Sequence, residues 1–191
     1  MSFKIFRISA PSQLDSAPVA VIKHYPLEKR DYKPYAQSNI CLGEQAVFLR
    51  MWAFEVSPPQ GSELRCVLYL FPGRPDTALS VSLYPEGGYG FSLLEKGAHL
   101  AINPPPGFAL SPHNGEDLQG IYWGALATLP IDWLSEICDR PSLNPGDTFG
   151  GNFYKLCPGP EYEHSGSFFP ADFPGDPYGA QSMGRFTVTP S

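Results

Sequence analysis

The sequence is poor in positive charge and has no long apolar run, and both features narrow the functions it can have. Lys and Arg number 13 against 19 Asp and Glu, which gives a net charge of −6. Nucleic-acid binding depends on clustered cationic side chains, so no nucleic-acid partner is expected. No apolar run approaches the roughly 18 residues that a membrane-spanning helix needs, so no membrane segment is expected either.

The start of the sequence also lacks the features of a signal peptide. Residues 1–8 alternate polar and apolar side chains, which is typical of a strand, and contain no uninterrupted apolar segment. As given, the chain is expected to be cytoplasmic, or secreted if a leader has been removed.

Cysteine is scarce, and its spacing matches no common metal or redox motif. Cys41, Cys66, Cys138 and Cys157 are widely separated and form no C-x-x-C pair, so neither a zinc knuckle nor a thioredoxin-type site is predicted. Because no leader is visible, the pattern favours buried free thiols over disulfides.

Proline and glycine, by contrast, are abundant, at 22 and 19 residues. They separate short runs rich in β-branched and aromatic residues, which is typical of an all-β sandwich or barrel. We predict one domain over residues 1–191, a two-sheet antiparallel β-sandwich of jelly-roll or immunoglobulin-like type, with one short helix at Ile131–Ile137. The predicted strands are Phe3–Ile8, Val19–His24, Gln45–Val56, Leu64–Phe71, Ala78–Tyr84, Gly90–Leu94, Gly120–Leu129, Gly151–Leu156 and Gly184–Val188.

One of these strands has a clear place in the sheet. Gln45–Val56 is apolar on both faces, which predicts a position in the middle of a sheet. Leu64–Phe71 is similarly apolar, and we expect the two to pair as a central hairpin across Ser57–Gly61. Asn103–Asn114 and Gly159–Gln181 are dense in Pro and Gly and are predicted to be long loops.

Motifs of catalysis and of metal binding are largely missing. No G-x-S-x-G nucleophile elbow occurs, and no catalytic residue is predicted. The four histidines show no i, i+2 or i, i+4 pairs, so no transition-metal site is predicted. Calcium stays possible, because Glu163, Asp172 and Asp176 lie in one predicted loop, although the pattern favours a solvated acidic loop. No cofactor is expected to be required.

A late motif resembles that of a known family. In Gly146-x-x-Phe149-x-x-Asn152-Phe153-Tyr154-Lys155 the spacing is similar to G-x-x-W-x-x-N-F-Y-R/K, with Phe149 at the position of the tryptophan. That motif is found in the family 9-like carbohydrate-binding modules, a branch of the DOMON-type β-sandwiches. The segments Trp123–Pro130, Phe168–Pro170 and Met183–Phe186 resemble further segments of the same family.

The resemblance implies a non-catalytic module that binds carbohydrate by aromatic stacking and hydrogen bonds. A pair of Trp rings clamps the sugar in that family, and Trp52 and Trp123 are the candidates here, although either could equally be core. The site is expected among the loop Glu161–Gln181, the strand Gly151–Leu156 and an exposed Trp. The other candidate ligand-binding residues are Asn152, Tyr154, Lys155, His164 and Phe168, and Asn152 could instead satisfy buried backbone groups.

Two alternatives stay open at this point. Some DOMON-type sandwiches hold haem between a Met and a His or Lys, and Met51, His164 and Lys155 supply these residue types. The family is also associated with glycoside hydrolysis, which requires two carboxylates at a fixed separation, and a sequence with 19 acidic residues cannot show such a pair. The sequence predicts no oligomeric state.

Overall fold

Strands dominate the computed structural model, which describes residues 2–31, 33–140, 142–159 and 162–190. The described residues include one α-helix, α1 (Ile131–Cys138), and short 3₁₀ segments at Pro11–Ser16, Pro85–Gly87 and Ala180–Ser182. The strands of these described ranges are β1 (Ser2–Arg7), β2 (Ala20–Ile22), β3 (Tyr35–Leu42), β4 (Ala46–Phe54), β5 (Glu63–Tyr69), β6 (Thr77–Leu83), β7 (Tyr89–Glu95), β8 (Ala98–Ile102), β9 (Ala109–Pro112), β10 (Gly115–Asp117), β11 (Gly120–Pro130), β12 (Thr148–Cys157), β13 (His164–Ser167) and β14 (Gly184–Val188).

The strands form one large curled sheet in the order β10-β11-β4-β3-β1-β14-β12-β5-β6-β7-β8, with β2 on β3, β9 on β11 and β13 on β12. We call the strands from β10 to β3 the first half-sheet and those from β14 to β8 the second half-sheet. Strand β1 joins the two halves, because it pairs in parallel with β3 near its end and with β14 along residues 2–5.

The prediction of purely antiparallel pairing is wrong at β1, and the two predicted sheets are continuous through that strand. Apolar alternation predicts that Phe3 and Ile5 face a core, but it carries no information about which strands lie beside them. Here the two partners of β1 lie far away in sequence and run in the same direction.

Strand β4 lies between β3 and β11, which confirms the central position that its two apolar faces predicted. The predicted hairpin of β4 with β5 is wrong, because β5 pairs with β12 and β6 instead. The connection 55–62 therefore carries the chain from the first half-sheet to the second. A turn of this composition can either fold back or cross over, and the residues alone do not distinguish the two.

The main core draws on both halves of the sheet. Val47, Leu49 and Met51 of β4 and Phe153 of β12 are buried in the same apolar cluster. Val67 is also buried, but it belongs to a smaller cluster on the opposite face of β5, which we call the outer face of the second half-sheet. Tyr69 lies on that face as well, and it is only partly buried.

The remaining predictions about local structure have mixed outcomes. Helix α1 confirms the predicted helix, and all nine predicted strands are present, Gly184–Val188 with the predicted bounds and the other eight with shifted ends. The two predicted long loops each contain a strand, β9 in the first and β13 in the second, while Pro160 and Glu161 lie outside the described residues.

All four cysteines are buried and unpaired, as expected. In the described part of the chain, no helix has both the length and the apolar character needed to cross a membrane.

Candidate functional site

Three of the predicted site residues come together in a buried group that we call the inner polar cluster. It consists of Glu55, Ser62, Trp123, Lys155 and His164. Lys155 stands two residues after Phe153 on β12, so both side chains point to the core side of the strand. The Lys155 side chain is fully buried, and Glu55 and Ser62 are the first and last residues of the connection between β4 and β5. Neither Glu55 nor Ser62 was predicted from the sequence.

The hydrogen bonds of the inner polar cluster define its charge state. The Nζ of Lys155 lies 2.6 Å from the Oγ of Ser62, 2.8 Å from the Nε2 of His164 and 3.3 Å from the Oε1 of Glu55. The other carboxylate oxygen of Glu55 accepts from Ser62 at 2.9 Å and from the indole N–H of Trp123 at 2.8 Å. This arrangement fits an ammonium group, a carboxylate and a neutral imidazole.

The tautomer of His164 follows from its second contact. Its Nδ1 lies 2.8 Å from the carbonyl oxygen of Tyr162, which can only accept, so Nδ1 carries the proton and Nε2 accepts from Lys155. Burial and, second, the positive charge of Lys155 lower the pKa of His164 to about 4. Burial also lowers the pKa of Lys155, while the Glu55 carboxylate opposes that shift.

We expect the inner polar cluster to make the protein sensitive to acid. The pKa of His164 is about 4 in the folded state and about 6.5 for an unperturbed histidine. As the pH falls, His164 therefore binds a proton at a higher pH in the unfolded chain than in the folded chain. Its contribution to stability is complete above about pH 6.5 and is lost as the pH falls towards 4. The measurement is the free energy of unfolding in urea over this pH range.

The matched variants for that measurement are His164→Gln and His99→Gln. The first should flatten the dependence of stability on pH between about 6.5 and 4, whereas the second removes a more exposed histidine and should leave most of the dependence in place. An unchanged pH dependence in His164→Gln would contradict the expectation.

Two of the other candidate residues hold the backbone together. The Nδ2 of Asn152 donates to the carbonyls of Phe169 and Ser182, and its Oδ1 accepts from the N–H of Phe169. The hydroxyl of Tyr154 donates to the carbonyl of Pro177 at 2.6 Å. Both side chains are fully buried, so Asn152 and Tyr154 fasten the segment that follows β13 to the outer face of β12.

Trp52 and Trp123 do not face each other across a common cleft. Trp52 stands opposite Gly124 in the pairing of β4 with β11, so it points away from the core, whereas the adjacent Trp123 points into it. Trp52 is nevertheless only 8% exposed, because His113 packs edge-on against its ring and Arg50 lies over it. The two rings therefore do not form the clamp that the resemblance implied.

Phe168 is also used in packing. Its ring lies 5.4 Å from that of Phe3 and 4.5 Å from that of Phe169, and it contacts the main core.

A second polar group, which no motif predicted, lies on the outer face of the second half-sheet. We call it the outer polar patch and define it as Glu63, Arg65, Ser82, His99 and Tyr178. The Oε1 of Glu63 accepts from the Nε of Arg65 and from the Oγ of Ser82, both at 2.6 Å. The guanidinium of Arg65 lies 4.7 Å from the ring centroid of Tyr178, and the ring of His99 packs edge-on against Tyr178 at 5.5 Å.

A pocket of about 220 Å³ opens beside the outer polar patch. Carboxylates, an ammonium group, an amide and an imidazole surround it together with two phenol rings, so it offers both donors and acceptors beside aromatic surface. We call it the outer pocket. Its polar and aromatic lining consists of Tyr69, Asp76, Lys96, His99, Asp176, Tyr178 and Gln181.

A further pocket of about 200 Å³ lies against the inner polar cluster. Glu55 and His164 line it together with Arg30, Pro59 and Tyr162. Both oxygens of Glu55 and both ring nitrogens of His164 already have partners within the protein. These groups therefore have less capacity for a ligand than the side chains of the outer pocket.

The residues considered for metal or haem do not form a suitable set. Among the described residues, no three or more His, Cys, Asp or Glu side chains converge in a way that could hold a metal ion, so Glu163, Asp172 and Asp176 do not form a calcium site together. Met51 is enclosed in the apolar core, and His164 and Lys155 are bonded to each other. This arrangement does not fit an iron held between Met51 and either residue.

Comparison with known proteins relates the whole chain to solved structures. No family model and no curated protein matches the sequence. A candidate carbohydrate-binding protein of Bacteroides uniformis superimposes with a TM-score of 0.73 at 15% identity, over 98% of both chains. A family 9 carbohydrate-binding module of Caldicellulosiruptor kristjanssonii, in complex with cellotriose, gives 0.63 at 10% identity over 98% of this chain and 94% of that one.

The chain has the fold of family 9 carbohydrate-binding modules. A family 9 module of Caldicellulosiruptor kristjanssonii in complex with glucose also matches, at a TM-score of 0.63 and 9% identity, over 98% of this chain and 96% of the module. The family 9 fold thus spans nearly the whole chain, including the N-terminal half, where no motif indicated it. The narrower DOMON-type assignment stays a prediction.

Proposed function

We propose that this protein is a non-catalytic carbohydrate-binding module whose sugar site is the outer pocket with the adjoining outer polar patch. One observation carries the proposal: on a family 9 fold, a pocket combines half-buried aromatic rings with exposed hydrogen-bonding side chains. The solved family 9 modules of this fold are complexes with cellotriose and glucose, which supports a sugar as the ligand.

The chemistry of the outer pocket suits a polyhydroxylated ring. A pyranose presents an apolar C–H face and a rim of hydroxyls, so it needs one aromatic surface and several donors and acceptors. Tyr178 supplies a ring that is already held by Arg65 and His99. Asp76, Lys96 and Gln181 are exposed around it. Because the Tyr178 ring is held in place before binding, less conformational freedom is lost on association.

The prediction of a two-sheet sandwich is part of the same proposal. We infer that the curled sheet closes as a two-layer sandwich, with the first half-sheet facing the second across the main core, which draws on both. The outer pocket then lies on the solvent side of one layer, away from the inner polar cluster.

We expect Tyr178→Ala to weaken sugar binding at least tenfold, because it removes the aromatic surface of the pocket; tenfold corresponds to about 1.4 kcal/mol. Gln181→Ala removes an exposed amide whose Nε2 donates to the carbonyl of Asp176, and it should also weaken binding. Isothermal titration calorimetry with glucose and cellotriose, preceded by a glycan-array screen with and without chelator, measures the effect.

The matched control is Tyr162→Ala, which removes a half-exposed tyrosine from the pocket beside the inner polar cluster. It should bind as the unmodified protein does. Loss of binding in Tyr162→Ala with full binding in folded Tyr178→Ala would move the site to the other pocket. Absence of binding to every glycan would contradict the proposal as a whole.

The hydrolytic alternative has one observation in its favour, since Asp76 and Asp176 both line the outer pocket. A glycosidase needs such a pair, one to protonate the leaving group and one to act as nucleophile or base. The backbone N–H of Tyr178 donates to the Oδ1 of Asp176, so one carboxylate oxygen of Asp176 already has a partner within the protein. Release of reducing ends from an oligosaccharide that binds would favour the hydrolytic alternative over simple binding.

A further inference from the structure

The two ends of the curled sheet differ in how their edge strands are protected. At one end, β10 has three residues and carries Glu116 and Asp117. At the other end, β8 has five residues, AHLAI, without a charge or a proline, and Leu100 at its centre is 50% exposed. Sheet edges are normally blunted by shortness, charge, proline or a bulge, since an open edge pairs with other chains. Within the described residues, β8 has none of these features.

The free edge of β8 has a defined pattern of backbone groups. The β7–β8 hairpin is closed by Lys96 and Gly97, whose φ values of 48° and 82° are those of a type I′ turn. In a two-residue hairpin of this type, the flanking residues Glu95 and Ala98 exchange hydrogen bonds across the turn, and the pattern then alternates along the ladder. Ala98, Leu100 and Ile102 therefore bond to β7, while the backbone N–H and C=O of His99 and Ala101 point outwards.

We propose that β8 pairs antiparallel with β8 of a second copy of this chain, about a two-fold axis at Leu100. In that register His99 of each copy lies opposite Ala101 of the other, and these are the residues whose backbone groups point outwards. The four donors and four acceptors of the two strands match without a bulge or a shift. Each Leu100 faces its counterpart as a non-hydrogen-bonded pair, with Cβ atoms about 5 Å apart.

The strand complements itself better than it complements an arbitrary peptide. Ala98 lies opposite Ile102 of the other copy, so a small side chain meets a large one, and no charges of like sign are opposed. The pairing stops where Asn103 leads into Pro104, because the prolines that follow have no N–H to donate. A ladder of this length buries a small area, so the dimer is expected to be reversible and to depend on concentration.

The dimer bears on the proposed sugar site, and this part rests on the proposed function. A two-fold axis perpendicular to a continuous sheet keeps the outer faces of both copies on the same side. His99 lines the outer pocket, so the two pockets would lie on either side of the β8–β8 contact and open on the same side of the dimer. Two linked sites bind a polymeric glycan more tightly than one, although each site has unchanged affinity.

Sedimentation equilibrium over a range of protein concentrations tests the dimer. The unmodified chain should change from 21.0 kDa towards twice that mass as concentration rises. Ala101→Pro removes an outward N–H while keeping every bond to β7, and Leu100→Lys opposes two charges at the axis; both should remain at the monomer mass. Leu118→Lys, at a fully exposed leucine in the β10–β11 turn, should behave as the unmodified chain.

A monomer at every concentration would overturn the proposal, as would Ala101→Pro and Leu100→Lys forming dimers normally. Sugar binding is measured separately from the mass of the protein. Glucose should bind Ala101→Pro as it binds the unmodified chain, while retention on immobilised glycan should fall. Failure of glucose and all other glycans to bind, with the concentration-dependent mass intact, would reject the sugar site and keep the dimer.

Discussion

Replacing Lys155 by Met is expected to lower the free energy of unfolding by about 3–5 kcal/mol, which is the usual range when one member of a buried ion pair is removed. Methionine fills a similar volume, so the loss comes from electrostatics rather than from a cavity. The Glu55 carboxylate would stay buried without its ammonium partner, and Ser62 and His164 would each lose a donor. Urea denaturation followed by tryptophan fluorescence measures the change.

The double variant Lys155→Met/Glu55→Gln separates this cause from general damage to the core. Glutamine keeps an oxygen that can accept from Trp123 and Ser62 but carries no charge, so the double variant should be more stable than Lys155→Met alone. A loss of less than about 1 kcal/mol in Lys155→Met would show that the pair contributes little more than an exposed salt bridge.

Replacing Trp123 by Ala is the second change with a large expected effect, about 3–5 kcal/mol of unfolding free energy, as for other buried aromatic residues. Trp123 is 7% exposed and belongs to the main core, and its indole N–H is bonded to Glu55. The substitution therefore leaves a cavity and also removes a donor from a buried carboxylate. Thermal and urea unfolding measure the loss.

Two comparison variants show how much of that loss comes from the indole N–H and how much from burial of the ring. Trp123→Phe keeps most of the ring volume and removes the N–H, so about 1–3 kcal/mol of the effect should persist. Trp52→Ala removes a ring of the same kind from the solvent side of β4 and should cost less than Trp123→Ala, because the site can fill with water. If folded Trp123→Ala lost sugar binding while its stability was unchanged, Trp123 would be a ligand-binding residue and the outer pocket would not be the site.

The strands that could be predicted are those in which apolar side chains predominate, such as β4 and β5, where a single Arg lies within each run. Strand β3 was missed because buried polar residues, Ser38 and Asn39, interrupt its pattern. The amide of Asn39 donates to the carbonyl of Leu14 in the first 3₁₀ segment, a partner that no local pattern indicates. Strand β8 was missed for the opposite reason, since its side chains are mostly exposed and no buried face imposes alternation.

Only part of the candidate site could be predicted from the sequence. The motif at Asn152–Lys155 led to the correct strand, but these residues turned inwards or fastened a loop, because a motif of a fold often preserves packing as well as function. The outer pocket draws its lining from several separate segments of the chain, including Tyr69, Lys96 and Tyr178. No spacing in the sequence relates these positions, so only the pairing of the strands reveals them.

The central place of β1 also has a consequence for the order in which the molecule forms. Ser2 and Arg185 are hydrogen-bonded although 183 residues separate them, and β14 links β1 to β12. During synthesis on the ribosome, the two half-sheets can each begin to assemble, but the strand that joins them gains its second neighbour only when β14 emerges. Contacts between positions so distant in sequence form slowly, so closure of the sheet is expected to follow assembly of the two half-sheets, and until then the edges of β1 and β12 need protection from other nascent chains.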